Sequence, residues 1–213
     1  MSALNPIAVG TRTSVLSMVQ TEEFLRSLRV LHPDRKFVVV PLATVGDRRK
    51  SAPLISMARG MFVKEIEVAL LNGEIDFAVH SAKDLPPVSV DGLVLAAFSE
   101  RIDPRDVQVN RWGLPFDRLP AGAKLGTSSP RRTAQLRAYR DDVEILPIRG
   151  NVDTRMNKAK SADYDGVVLA AAGLARLGRQ DEITEYLSPE ICTPEPGQGA
   201  LAIQARASDS PLL

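Results

Sequence analysis

The closing segment ALAIQARA, residues 200–207, constrains the fold most. It is apolar and strand-like with only a few residues after it, so it must complete a sheet that the chain has already laid down. The economical place is the first sheet, which makes the first domain discontinuous. Upstream, strand-like and helix-like segments alternate. PIAVG reads as a short buried strand, SVLSMVQTEEFLRSLRVL carries Val15, Met18, Val19, Leu25 and Leu28 as a helical stripe, and KFVVVPLAT is the next strand. FVKEIEVALLNG reads as an amphipathic helix closed by Gly73, IDFAVHS as a strand with a polar end, and LVLAAFSE as a further strand. RIDPRDVQV then begins with a polar, proline-bearing stretch that suits a crossing between domains. The pattern restarts with strand AKLGTS, helix PRRTAQLRAYR, strand VEILPIRG, helix DTRMNKAKSA and strand DGVVLAAAG. TPEPGQG, dense in proline and glycine, is the second crossing. The expectation is an α/β fold with mostly parallel sheets, in two lobes joined by two hinge crossings around a central cleft. Lobe 1 comprises 1–100 with 198–213, and lobe 2 comprises 105–193.

Charge narrows the function classes. Lys plus Arg number 27 against 26 for Asp plus Glu, so a net charge of +1 gives no general attraction for nucleic acid or for an anionic membrane. Anion binding must come from local clusters. The cations are 20 Arg and 7 Lys, a bias toward the better bidentate partner for carboxylates. The single cysteine, Cys192, excludes an internal disulfide and a cysteine metal cluster, and no metal site is expected. MSALNPIAVGTRTS lacks the pattern of a signal peptide, and GVVLAAAGLA falls far short of the ~20 apolar residues that span a bilayer. A cytoplasmic location and a monomer are expected.

In open α/β sheets, ligands bind beyond the carboxyl ends of the strands. The polar residues gather at those ends: Thr11 to Ser14, His80 to Asp84, Thr127 to Arg132, and Arg149 to Asn151 with Arg155 one turn on. Ser129 suits an N-cap and Pro130 the first helical position, so helix N–H groups point toward the loop. Capping does not explain Arg131 and Arg132, because a helix dipole disfavours cations in its first turn, and the pair reads as an anion site. Lys83 and Asp84 beside Ser81 read either as a surface ion pair or as a catalytic acid group. His80 with Ser81 invites a hydrolase reading, but there is no G-x-S-x-G elbow and His32 lies in a loop-like LHPD, so a triad is discounted. No G-x-G-x-x-G or Walker sequence supports nucleotide binding.

HSAKDLP, ERIDPRD, GTSSPRR, RGNVDTR, LAAAGLARLG and PGQGALAI occur in this order, and with them the whole chain resembles the hydroxymethylbilane synthase family, also called porphobilinogen deaminase. The resemblance implies two lobes of the type II periplasmic-binding-protein kind followed by a third, smaller domain. It implies an activity in which porphobilinogen units are deaminated and joined on a dipyrromethane cofactor. By the same resemblance, Arg12, Ser14, Ser81, Lys83, Ser129, Arg131, Arg132, Arg149, Arg155 and Arg176 hold ligand carboxylates, assisted by Thr127, Ser128 and the backbone near Gly150. Asp84 matches the catalytic aspartate that binds pyrrole N–H groups and stabilises the cation left when ammonia departs, with Lys83 beside it. Phe62 matches an aromatic near the active site. Two departures stand out. LISMARGMF replaces the family's glycine-rich, lysine-bearing pattern, with Arg59 in the lysine's place. The family's cofactor cysteine belongs to the third domain, and Cys192 lies before TPEPGQG, where the family has no anchor. The expectation is therefore a short form without the third domain. It binds porphobilinogen-type pyrroles or a linear tetrapyrrole noncovalently, with turnover impaired. The alternatives are an active synthase using noncovalent dipyrromethane or a separate partner chain, and a small-anion solute-binding protein.

Overall fold

The computed structural model describes residues 5–44 and 63–209. The chain divides into two units, Met1–Arg101 with Ala200–Leu213 and Ile102–Gly199. Phe62 and Arg59 lie outside the described residues.

Unit 1 contains β1 (Ile7–Arg12), α1 (Val15–Leu31), β2 (Phe37–Leu42), α2 (Lys64–Leu71), β3 (Phe77–Ser81) and β4 (Leu93–Phe98), and is closed by β10 (Leu201–Arg206). The sheet order is β2-β1-β3-β10-β4. Strand alternation divides its apolar residues between two faces. Val9, Phe77, Val79, Leu201 and Ile203 pack with Leu25 of α1 on one side, where Phe24 and Phe37 meet the Phe77 ring edge-on. Ala78 and Leu93 pack with Ile66 and Leu70 of α2 on the other.

Unit 2 contains β5 (Asp106–Asn110), β6 (Lys124–Gly126), α3 (Pro130–Tyr139), β7 (Glu144–Leu146), α4 (Val152–Lys158), β8 (Gly166–Ala170), α5 (Ala171–Arg176) and β9 (Glu185–Tyr186), in the sheet order β7-β6-β8-β5-β9. Val168 faces a core of Phe116, Leu125, Leu136 and Leu187, whereas Val167 and Leu169 face Ile148, Met156 and Leu174.

The sheets are mixed, which corrects the expectation of mostly parallel sheets. β10 runs antiparallel to β3 and β4, and β5 runs antiparallel to β8 and β9. Each of these strands follows a crossing and enters its sheet at the carboxyl edge, Leu201 opposite Ser81 and Asp106 opposite Ala170. Two elements differ from the sequence reading. The apolar run DGVVLAAAG leaves the sheet at Ala170 and becomes α5, because an alanine-rich stretch satisfies strand and helix patterns equally. The two-residue β9 is too short to carry a pattern. The second crossing uses left-handed backbone at Gly199 (φ +96°), a conformation that favours glycine.

Candidate functional site

The carboxyl edge of unit 1 carries Arg12, Ser14 and the one-turn 3₁₀ segment Ala82–Asp84. Ser14 is the N-cap of α1: its Oγ accepts from the Ser17 N–H at 3.2 Å and lies 2.7 Å from Ser17 Oγ. Buried Thr11 donates to the Ser17 carbonyl at 3.2 Å, which joins β1 to the same turn. Arg12 Nη1 stands 3.9 Å from Asp84 Oδ2, with both side chains partly exposed at 22% and 35%. That is charge pairing at a strand end without a tight hydrogen bond, and it leaves the Asp84 carboxylate room for another donor. Lys83 precedes it on the same turn and is half-buried.

His80 and Ser81 do not meet, because successive strand residues face opposite sides. The Ser81 hydroxyl exchanges hydrogen bonds with the buried Gln20 amide, at 2.9 and 3.1 Å. His80 turns inward, with Nε2 3.1 Å from Gln204 Oε1, and Gln204 donates to Glu67 Oε1 at 3.2 Å. Burial, and to a smaller extent the positive charge of Arg12, lowers the His80 pKa to about 4 despite the opposing Gln204 hydrogen bond. The folded value lies below the unfolded one of roughly 6.5, so unfolded chains take up the proton first as pH falls. Stability should therefore hold above pH ~6.5 and drop between pH ~6.5 and ~4, by roughly 2–4 kcal/mol. Urea unfolding across that range, compared with His80→Gln, reads this directly; an equal slope in both proteins would contradict it.

The carboxyl edge of unit 2 carries the loops after β6 and β7. Ser128 Oγ donates to the Ile148 carbonyl at 2.6 Å and accepts from the Ile148 N–H at 3.1 Å, tying the two loops together. Thr127 is buried, and its Oγ1 accepts from the Ser129 N–H at 3.3 Å. Ser129 caps α3, accepting from the Arg132 N–H at 3.4 Å, with Pro130 at the first helical position. Gly150 has φ +117°, and a Cβ there would lie 2.4 Å from Thr154 Cγ2, so both backbone and space require glycine. Its carbonyl accepts from Arg155 Nε at 2.7 Å, which ties that side chain back to the turn before the Asn151 cap of α4. Arg176 of α5 donates to the Gly199 carbonyl at 3.3 Å.

Arg131 and Arg132 are placed differently from the open anion site expected of them. Both hold Asp106, whose side chain is fully buried. Arg131 Nη2 reaches Oδ2 at 2.6 Å, and Arg132 Nε and Nη2 reach Oδ1 at 3.0 and 2.6 Å. Gln198 adds a donor to Oδ1 at 2.8 Å and another to the Pro104 carbonyl at 2.7 Å. Burial opposes ionisation of Asp106, yet the charge and hydrogen bonds of Arg132, with those of Gln198 and Arg131, hold its carboxyl below the ordinary range. The first-turn arginines thus have an internal reason to be adjacent. Cys192 is enclosed in the same cluster, donating to Asp106 Oδ2 at 3.3 Å. Burial, then the neighbouring Asp106 charge, pushes its thiol up to about 11. The sequence reading missed Asp106, Gln198 and Gln20; two arginines on a helix's first turn were the available signal for a buried carboxylate.

Among the described residues no group of His, Cys, Asp or Glu is arranged to hold a metal ion, and no helix is long and apolar enough to cross a membrane. An open depression of about 470 Å³ lined by Arg29, Pro33, Asp34, Arg35, Lys36 and Phe37 lies at the amino end of β2 and includes none of the expected site residues.

Residues 7–213 match the family model described as porphobilinogen deaminase, dipyrromethane cofactor binding domain. The chain is 50% identical over 205 residues to the porphobilinogen deaminase of Desulfitobacterium hafniense, covering 96% of this chain and 67% of that protein. It is 48% identical over 212 residues to that of Bacillus subtilis, covering 99% and 68%. The chain thus spans about two thirds of the length of these relatives. Among solved structures it is similar to a chain described as the periplasmic sulfonate-binding protein SsuA of Methylobacillus flagellatus KT (TM-score 0.54, 15% identity, covering 100% of this chain and 64% of that one). It is also similar to the OxyR2 regulatory domain of Vibrio vulnificus (TM-score 0.52, 12% identity, 99% and 90%). At these identities the likeness concerns the fold alone, that of type II periplasmic-binding domains.

Proposed function

The chain belongs to the porphobilinogen deaminase family, and from that premise we propose that the carboxyl edge of unit 1 holds carboxylated pyrroles, porphobilinogen or a linear tetrapyrrole, beside Asp84, and that the cations at the carboxyl edge of unit 2 are carboxylate-binding groups. The observation that carries this reading is the Arg12–Asp84 pair beyond the ends of β1 and β3, a partly exposed carboxylate 3.9 Å from one guanidinium. Porphobilinogen brings acetate and propionate groups, a pyrrole N–H and an aminomethyl leaving group. Arg12 and Lys83 on one edge, and Arg149, Arg155, Arg176 and Arg131 on the other, are half-buried cations suited to carboxylates. Ser14, Ser81, Thr127, Ser128 and Ser129 shape the loops that present them, through the caps and stitches described above. Arg132, buried and held by Asp106, supports the edge. Asp84 would accept the pyrrole N–H and stabilise the positive charge that develops as ammonia leaves.

The donor set also fits the family's dipyrromethane, whose side chains carry the same carboxylates and whose pyrrole N–H groups need an acceptor such as Asp84. When bound, that group supplies the pyrrole carbon to which porphobilinogen units are added. Cys192 does not fit a covalent link to it, because a thioether forms from an accessible thiolate, and this thiol is enclosed and pushed up to about 11. As these residues would hold it, the grip is noncovalent. Each charge-assisted contact contributes about 1.5–3 kcal/mol, so several give micromolar or tighter binding. In the test, the chain is titrated with a carboxylated linear tetrapyrrole and its absorption followed. Saturable uptake is expected, and no uptake would overturn the proposal.

A further inference from the structure

Every nitrogen of the Arg131 guanidinium is already engaged within unit 2. Nη2 meets Asp106 Oδ2 at 2.6 Å, Nε meets Glu195 Oε2 at 2.9 Å, and Nη1 donates to the Thr193 carbonyl. The two carboxylates are not equivalent. Asp106 is fully buried and also held by Arg132 and Gln198, whereas Glu195 is 27% exposed on the proline- and glycine-rich segment that leads into the second crossing. Nε and Nη2, the edge that takes a carboxylate with two parallel hydrogen bonds, thus already hold one carboxylate each, so a ligand carboxylate gains that two-point grip only by replacing one of them, and Glu195 is the one that solvent reaches.

We propose that Glu195 is a specificity-determining residue: an internal carboxylate that occupies Arg131 until a ligand carboxylate displaces it. The exchange is like for like, so Arg131 keeps its charge partner only when the incoming group is itself an anion. A neutral pyrrole offers no such replacement and leaves the Glu195 pair in place. The residue therefore selects for carboxylated ligands by competition rather than by contact. This rests on the proposed binding of carboxylated pyrroles.

The test is calorimetric titration with porphobilinogen of the wild-type chain, Glu195→Gln, Arg131→Ala and the double variant. Removing a partly exposed competitor should tighten binding about three- to tenfold. In the Arg131→Ala background the same change should do nothing, since the competitor has lost its target. Glu144→Gln, an equal charge change on β7, should leave affinity unaltered. Unchanged or weaker binding by Glu195→Gln, or equal tightening without Arg131, overturns the proposal while the binding reading stands. Failure of the wild-type chain to bind porphobilinogen overturns the binding reading and this inference with it.

Discussion

Replacing Asp106 by asparagine is expected to lower the unfolding free energy of unit 2 by ~3–5 kcal/mol, the cost of removing one partner of a buried charge cluster. The carboxylate has no solvent exposure and receives hydrogen bonds from Arg131, Arg132, Gln198 and Cys192. Without its charge, the Arg132 guanidinium, itself 7% exposed, keeps the Val168 carbonyl at 3.1 Å and a neutral amide oxygen in place of its carboxylate. Two cations would then repel one another in a low-dielectric site. Trp112, the single tryptophan, lies in unit 2 and reports the transition by fluorescence during urea unfolding. Asp142→Asn, which breaks a surface pair with Arg140, should leave the midpoint nearly in place. A shift as small for Asp106→Asn as for Asp142→Asn would show that the cluster contributes nothing net.

Asp84→Asn should act in the opposite way, on chemistry and not on stability. The side chain is partly exposed, and its 3.9 Å approach to Arg12 is too long for a hydrogen bond, so little folding energy depends on it. Asparagine keeps the shape and an acceptor but removes the charge that offsets the cation formed as ammonia leaves. Loss of one such preorganised group typically costs about 10²–10³ in rate. Ammonia release from porphobilinogen, measured with dipyrromethane supplied, should fall by that order while ligand affinity changes little. A loss smaller than tenfold, or a parallel loss of affinity, would remove Asp84 from the chemical step.

Local chemistry was legible in the sequence, and tertiary pairing was not. Ser129 and Pro130 are a cap and a first helical position whatever surrounds them, and the structure has both. The strand ALAIQARA was legible from its apolar pattern as well, and as β10 it lies between β3 and β4 in the first sheet. Its direction was not legible, because direction depends on the edge at which a crossing delivers the chain. The meaning of Arg131 and Arg132 also escaped the sequence, since their partner Asp106 stands 26 residues before Arg132 on a different element. His80 was half legible: strand alternation alone separates it from Ser81, but its partner Gln204 comes from the far end of the chain.

The titration of the chain with a carboxylated linear tetrapyrrole, repeated as salt is raised through physiological strength, tests the central claim most directly. If fixed guanidinium groups hold the ligand, uptake is saturable at micromolar or tighter affinity and weakens as ions screen the charges. Absence of uptake, or uptake indifferent to salt, would contradict the claim.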